Sequence, residues 1–278
     1  MPSLLVSTAQ LAQHLTDPDW IVIDCRHNLA DVEASRLAYQ AAHILGAFFL
    51  HLDEDLAGEK TGRNGRHPLP DAQILSGKLG AIGIDQRKTV VAYDDAGSMF
   101  AVRLWWLLRW LGHENITVLD GGITKWLAEK RPVDAHAPKA TPAIFKPGNG
   151  FQNLSADYVL QHLHHPDMLL IDARAPDRYA GQNETLDPVA GHIPGAMNRF
   201  FKNNLDANAC FKKPEELKRE FDSLLQTKSP RQVVHQCGSG VTACHNLFAM
   251  ELAGLSGSKL YAGSWSEWCA DNSRPVEK

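Results

Sequence analysis

The second half of this chain repeats the first, and that limits its folding more than any other feature. Trp20-Ile21-Val22-Ile23-Asp24-Cys25-Arg26 is matched by Met168-Leu169-Leu170-Ile171-Asp172-Ala173-Arg174, and Ala42-His43-Ile44-Leu45-Gly46-Ala47 by Gly191-His192-Ile193-Pro194-Gly195-Ala196. Val90-Val91 pairs with Val233-Val234, Gly121 and Trp126 with Gly263 and Trp268, and Arg131-Pro132-Val133 with Arg274-Pro275-Val276. Blocks that recur in one order at nearly constant spacing mean two copies of one domain. With 278 residues, each copy is large enough for its own core.

Within each copy, short apolar runs alternate with helical patterns. In the first, Ser7 to Leu15 reads as helix, Ile21 to Ile23 and Val90 to Tyr93 as strands, Phe100 to Leu111 as helix ending at Gly112, and Ile116 to Leu119 as strand. The second follows with Ala156 to Leu163, Leu169 to Ile171, Val233 to Gln236, Thr242 to Ala253 and Lys259 to Tyr261. Continuous apolar strands between amphipathic helices predict an α/β fold, a parallel sheet covered by helices on both faces, built twice. Asp134 to Gly150 holds Pro138, Pro142 and Pro147 with little periodicity, so the expected division is 1–134, a linker over 135–149, and 150–278. The tryptophan-rich stretch Trp105, Trp106 and Trp110 is expected in a core or at an interface between domains.

The copies differ where chemistry would sit. In the second, Val233 to Gln236 runs into Cys237-Gly238-Ser239-Gly240-Val241-Thr242 and then a helix. Two glycines let such a loop curl so that successive N–H groups point inward, and the helix N-terminus adds its positive dipole end. That bowl favours an anion, so a cysteine at its rim is favoured as the nucleophilic thiolate. The first copy has Asp94-Asp95-Ala96-Gly97-Ser98 at the same place, which offers no thiol and would repel an anion, so only the second copy is expected to be catalytic. In an open α/β sheet the loop should lie outside the carboxyl ends of the strands, facing the first domain.

Cysteine phosphatases also use a strand, an anion loop and a helix, with an arginine six positions after the cysteine. Here that position is Ala243, which argues against phosphate monoesters. An uncharged loop suits sulfur, since Cys237 could carry a sulfur atom as a persulfide stabilised by amide groups. The remaining cysteines, Cys25, Cys210, Cys244 and Cys269, read as small apolar fillers or exposed thiols without the loop's electrostatics, and no Cys/His grouping has zinc spacing. No metal or cofactor is expected.

The loop Cys237 to Thr242 resembles that of 3-mercaptopyruvate sulfurtransferases of the two-domain rhodanese superfamily. Gly191-His192-Ile193-Pro194-Gly195-Ala196 and Gly263-Ser264-Trp265-Ser266-Glu267-Trp268 also resemble signatures of that superfamily. The resemblance implies tandem rhodanese-like domains and transfer of sulfane sulfur from 3-mercaptopyruvate through a Cys237 persulfide. The acceptor would be a thiol, cyanide or a thioredoxin-like protein. It implies that Gly238, Gly240, Val241 and Thr242 contact the donor and that Arg178 grips its carboxylate. A proton relay would be made by Ser239 with a His and an Asp from the first domain, where His43 matches the His and Asp31 has poor spacing for the acid. The family's second arginine, some nine residues after the first, is missing, leaving Arg199 or Lys202 to supply that charge. Asp172 and Arg174 are expected to form a local ion pair. Thiosulfate-type members carry Arg and Lys directly after the cysteine. Gly238 and Ser239 stand there instead, which ranks 3-mercaptopyruvate above thiosulfate. A thiosulfate:cyanide sulfurtransferase and a non-catalytic tandem binding module are the alternatives.

A net charge of −4 and a pI near 6.3 give no reason to expect nucleic acid or a membrane as partner. The N-terminal stretch lacks a basic region and a sustained apolar run, and the cysteine number is odd, so the expected location is the cytoplasm.

Overall fold

The computed structural model describes residues 3–278. They form two compact units. The first comprises residues up to Gly58, then Pro70–Phe151 and Ala207–Cys210, and the second comprises Glu59–Leu69, Gln152–Asp206 and Phe211–Lys278. The boundary therefore falls after Phe151, because the proline-containing stretch does not run free but is bonded along the first unit. The Ala143 amide donates to Gly80 O, that of Gly148 to Leu111 O and that of Phe151 to Arg109 O, with Phe145 buried. Residues 59–69 leave their sequence neighbours and join the second unit.

The first unit has a five-stranded parallel sheet in the order Leu5–Val6, Ile116–Leu119, Thr89–Tyr93, Trp20–Asp24, Phe48–Phe49. The second has four parallel strands in the order Lys259–Leu260, Val233–Gln236, Leu169–Asp172, Met197–Asn198. All four residues of Val233–Gln236 are buried, as are Val90 to Tyr93, so both faces of each sheet are covered. Helices do the covering. Ala101–Trp110 is buried over eight of its residues, Trp105 and Trp106 among them, which makes the tryptophan-rich stretch core of the first unit. Further helices lie outside the repeated blocks, among them Val32–Ala41 and Ala72–Ala81, N-capped by Asp31 and Asp71, and Pro214–Leu225, with Pro at its start and Glu215 and Glu216 in its first turn. Asp31 is thereby spent on a cap. No helix among the described residues is long and apolar enough to cross a membrane.

Each recurring block makes the same bonds in both units. Asp24 and Asp172 accept bidentate bonds from Arg26 and Arg174, at 2.6 and 2.7 Å from Nη2, and the same nitrogens reach Ala42 O and Gly191 O, both at 2.8 Å. His43 stacks on Tyr39 and His192 on Tyr179, with ring centroids 4.0 and 3.8 Å apart. Trp126 and Trp268 donate their indole N–H to Pro132 O and Pro275 O. Equivalent positions fill equivalent cores: Val22, Ile44, Val91 and Trp126 in one, Leu170, Ile193, Val234 and Trp268 in the other. The repeat signature is thus a set of packing and hydrogen-bonding rules.

Candidate active site

Strand Val233–Gln236 delivers Cys237 at its carboxyl end, and helix Thr242–Leu252 starts just past the loop, with Val241 buried at its N-cap. The Gly240 amide donates to Cys237 Sγ at 3.2 Å, so the curl expected from the glycines is aimed at the sulfur. Only glycine can stand at 240. Its φ is +78°, and a Cβ there would lie 2.3 Å from Ala262 O. From behind, the turn at 263–266 grips the loop: Ser264 Oγ accepts from the Cys237 amide at 3.1 Å, while the amides of Trp265 and Ser266 donate to the carbonyls of Cys237 and Gly238 at 3.0 and 2.9 Å. Thr242 opens the helix, and Ala243 is fully buried, with no guanidinium at the phosphatase position.

The first unit's corresponding loop also holds an anion, supplied from within. Asp94 Oδ1 accepts from the amides of Ala96 and Ser98 at 2.8 and 2.9 Å, and Oδ2 from those of Phe100 and Ala101 at 2.7 and 2.9 Å. Burial nevertheless pushes the Asp94 pKa up, against those four amides. Asp94 was expected to repel an anion, and the structure adds that its own carboxylate occupies the amides such an anion would need.

The imidazole beside Ser239 is His67, not His43. His67 Nδ1 lies 2.8 Å from Ser239 Oγ, and both residues are buried. His43 is fully buried in the first unit with Nδ1 2.7 Å from Tyr39 O and Nε2 3.3 Å from His136 O. Its counterpart His192 likewise sets Nδ1 against Tyr179 O at 2.9 Å, so the shared histidine is a fold element. His67 lies in Gly62-Arg63-Asn64-Gly65-Arg66-His67-Pro68, which has no equivalent in the second copy. That lack of a counterpart was the available signal, because a residue that neighbours only one copy's loop need not be repeated.

Arg178 lies beside the loop, held by Glu184 through Nε at 3.1 Å and Nη2 at 2.8 and 2.9 Å. Burial disfavours the Glu184 carboxylate, but the Arg178 hydrogen bonds and charge, with the Leu186 and Asp187 amides, outweigh it and hold its pKa below the ordinary value. Arg199 is not a second cation here, because it is bonded to Glu220 and Asn204, and Lys202 is exposed in a 3-10 turn. Arg66 stands by the loop instead: a Cβ placed on Gly238 would lie 2.8 Å from Arg66 Nη2 and 3.6 and 3.7 Å from Arg178 Nη2 and Nη1. Arg66 pairs through Nη1 with Asp187, whose pKa is raised by burial more than Arg66 lowers it. Asp172 and Arg174 form the local pair expected of them, and Arg174 also lies over the Trp265 ring, 4.9 Å from its centroid.

In the first unit, His27, His51 and Asp53 bring possible ligand atoms within 4.8 Å of one another. His51 Nδ1, however, accepts from the amides of Asp53 and Glu54 at 3.2 and 3.3 Å, which leaves the proton on Nε2 and no lone pair there for a metal.

A rhodanese-like domain model matches residues 7–129 and again 155–271. The chain is 45% identical over 275 residues to a probable 3-mercaptopyruvate sulfurtransferase of Pseudomonas aeruginosa, covering 98% of this chain and 97% of that one. It is 35% identical to the thiosulfate sulfurtransferase of Rattus norvegicus, covering 95% and 91% of the two chains. The solved 3-mercaptopyruvate sulfurtransferase of Leishmania major superposes with a TM-score of 0.87 at 27% identity, covering 99% of this chain and 76% of that one.

Proposed function

Because the chain belongs to the rhodanese-like domain family in both of its halves, we propose that its second unit moves sulfane sulfur from 3-mercaptopyruvate to a thiophilic acceptor through Cys237. The observation that carries this is the Gly240 amide directed at Cys237 Sγ, in a loop braced from behind and free of basic side chains of its own.

The Cys237 thiolate attacks the donor's sulfur. An S–S bond forms, the C–S bond breaks, and its electron pair passes to carbon as the enolate of pyruvate. The proton on the transferred sulfur is the one the carbon must gain, so a relay from sulfur to carbon balances the step. Ser239 and His67 supply that relay: with the proton on Nε2, His67 Nδ1 accepts the Ser239 hydroxyl and can hold or return its proton. The persulfide anion left on Cys237 stays in the amide bowl until an acceptor thiolate, cyanide or a thioredoxin-like protein attacks the outer sulfur and releases the Cys237 thiolate. Gly238, Gly240, Val241 and Thr242 shape the bowl, and Arg178 takes the donor's carboxylate. A reducing, cytoplasmic setting suits cysteines that form no disulfide among the described residues.

Thiosulfate is the second reading, favoured by one observation: Arg66 reaches over Gly238, where thiosulfate-type loops carry a basic side chain of their own. Steady-state rates with the two donors at matched concentrations, with mass spectrometry of Cys237 after each, test the proposal. The expected result is one added sulfur on Cys237 and a preference for 3-mercaptopyruvate. No added sulfur from either donor would sink the enzyme reading, and a preference for thiosulfate would reverse the ranking of donors.

A further inference from the structure

We infer that Arg66, delivered by the 59–69 segment and aimed by Asp187, is the second cationic contact for the donor's carboxylate, acting jointly with Arg178. This rests on the sulfurtransferase reading above and names a residue that sets the donor specificity of that site.

Two guanidiniums from distant parts of the sequence converge on one point, the space above Gly238, next to the nucleophile. Both remain accessible, with side chains 29% and 21% exposed. Arg178 spends Nε and Nη2 on Glu184, and Arg66 spends Nη1 on Asp187, which leaves Arg178 Nη1 and Arg66 Nη2 without a partner among the described residues. Those two nitrogens flank the same spot and can each donate to one oxygen of a carboxylate, a fork assembled from two residues.

Asp187 fixes the geometry. Its side chain is 3% exposed and spans the pair, with Oδ1 to Arg66 and Oδ2 3.4 Å from Arg178 Nη2. It is a positioning residue, holding both cations on the loop side while leaving Arg66 Nη2 and Arg178 Nη1 open toward Gly238. The backbone of Arg66 is fixed as well. Its amide donates to Ser266 Oγ at 3.0 Å, and Gly65 before it has φ +86° with Gly263 O 2.8 Å from where a Cβ would stand. The turn that grips the Cys237 loop therefore also sets the height of Arg66 above it.

The test uses the full chain, with 3-mercaptopyruvate as donor, a small thiol as acceptor and pyruvate as a sulfur-free competitor. Arg66→Ala should raise KM for the donor and Ki for pyruvate together, by about 10- to 100-fold for one lost charge-assisted contact, with a much smaller change in kcat. Arg66→Lys should recover part of that loss. Asp187→Asn should raise KM and Ki in parallel by a smaller factor. A merely structural role would lower kcat and would not move Ki in step with KM. Wild-type turnover with unchanged KM and Ki in Arg66→Ala overturns the assignment, as does a fall in kcat alone. If the wild type itself fails to turn over the donor, it is the sulfurtransferase reading that fails.

Discussion

Two glycines of the second unit share a positive φ but differ in what surrounds them, so together they measure the cost of crowding the Cys237 loop. Gly240 has φ +78° and Gly254 φ +72°. A Cβ on Gly254 would meet nothing within 4 Å, so Gly254→Ala carries only the left-handed penalty of about 1 kcal/mol. On Gly240 the same methyl would lie 2.3 Å from Ala262 O and 3.0 Å from Ala262 C and Cα, backbone that cannot rotate away. Forcing that wall apart adds about 1–3 kcal/mol, so Gly240→Ala should cost about 2–4 kcal/mol. At about 2–4 °C per kcal/mol, Gly254→Ala should melt a few degrees below wild type and Gly240→Ala about 5–15 °C below it. The shift also turns the Gly240 amide away from the sulfur, and losing such a donor lowers kcat about 100- to 1000-fold. Thermal unfolding and steady-state turnover of both variants check this. Equal melting points, with Gly240→Ala as active as Gly254→Ala, would refute it.

The relay predicts that His67→Ala and Ser239→Ala each lower kcat by about 10²–10⁴ with little change in KM. The double variant should be about as slow as either single one, because the two act as a unit. Additive losses, read from steady-state kinetics of the three variants, would count against a relay. Glu184 has its pKa depressed in the folded protein, so its ionised form adds stability at pH values above its unfolded pKa, and this is lost as pH falls through the folded pKa. Glu184→Gln should accordingly be less stable than wild type at neutral pH, on the order of 2 kcal/mol for its charged hydrogen bonds, and the gap should close in acid. Melting curves at pH 7 and at about pH 3.5, below the ordinary glutamate value, read this directly.

The two-unit plan and the shape of the Cys237 loop were legible because both are local. A buried strand, two glycines and a helix start are encoded within twenty consecutive residues, and the repeat exposes itself by self-comparison. Helix and strand ends fell within a residue or two where periodicity was strong, as at Thr242–Leu252. Helix Pro214–Leu225 carried Pro and acidic signals at its start that the repeat comparison passed over, since no block lies there. The neighbours of the Cys237 loop were harder. His67 and Arg66 sit in an aperiodic Gly- and Pro-containing stretch that leaves the unit of its sequence neighbours, and no local pattern reveals a chain crossing of that kind. His43 was put forward by resemblance to the family's histidine, yet it is repeated as His192, and repetition marks residues both copies need for folding.

In the first unit, the loop matching the Cys237 bowl binds a carboxylate that is tethered to it. A receptor whose ligand is part of its own chain is saturated at every solute concentration, so sulfate, phosphate or a substrate cannot compete for it. The repeat thus holds a second cradle, filled by one of its own side chains.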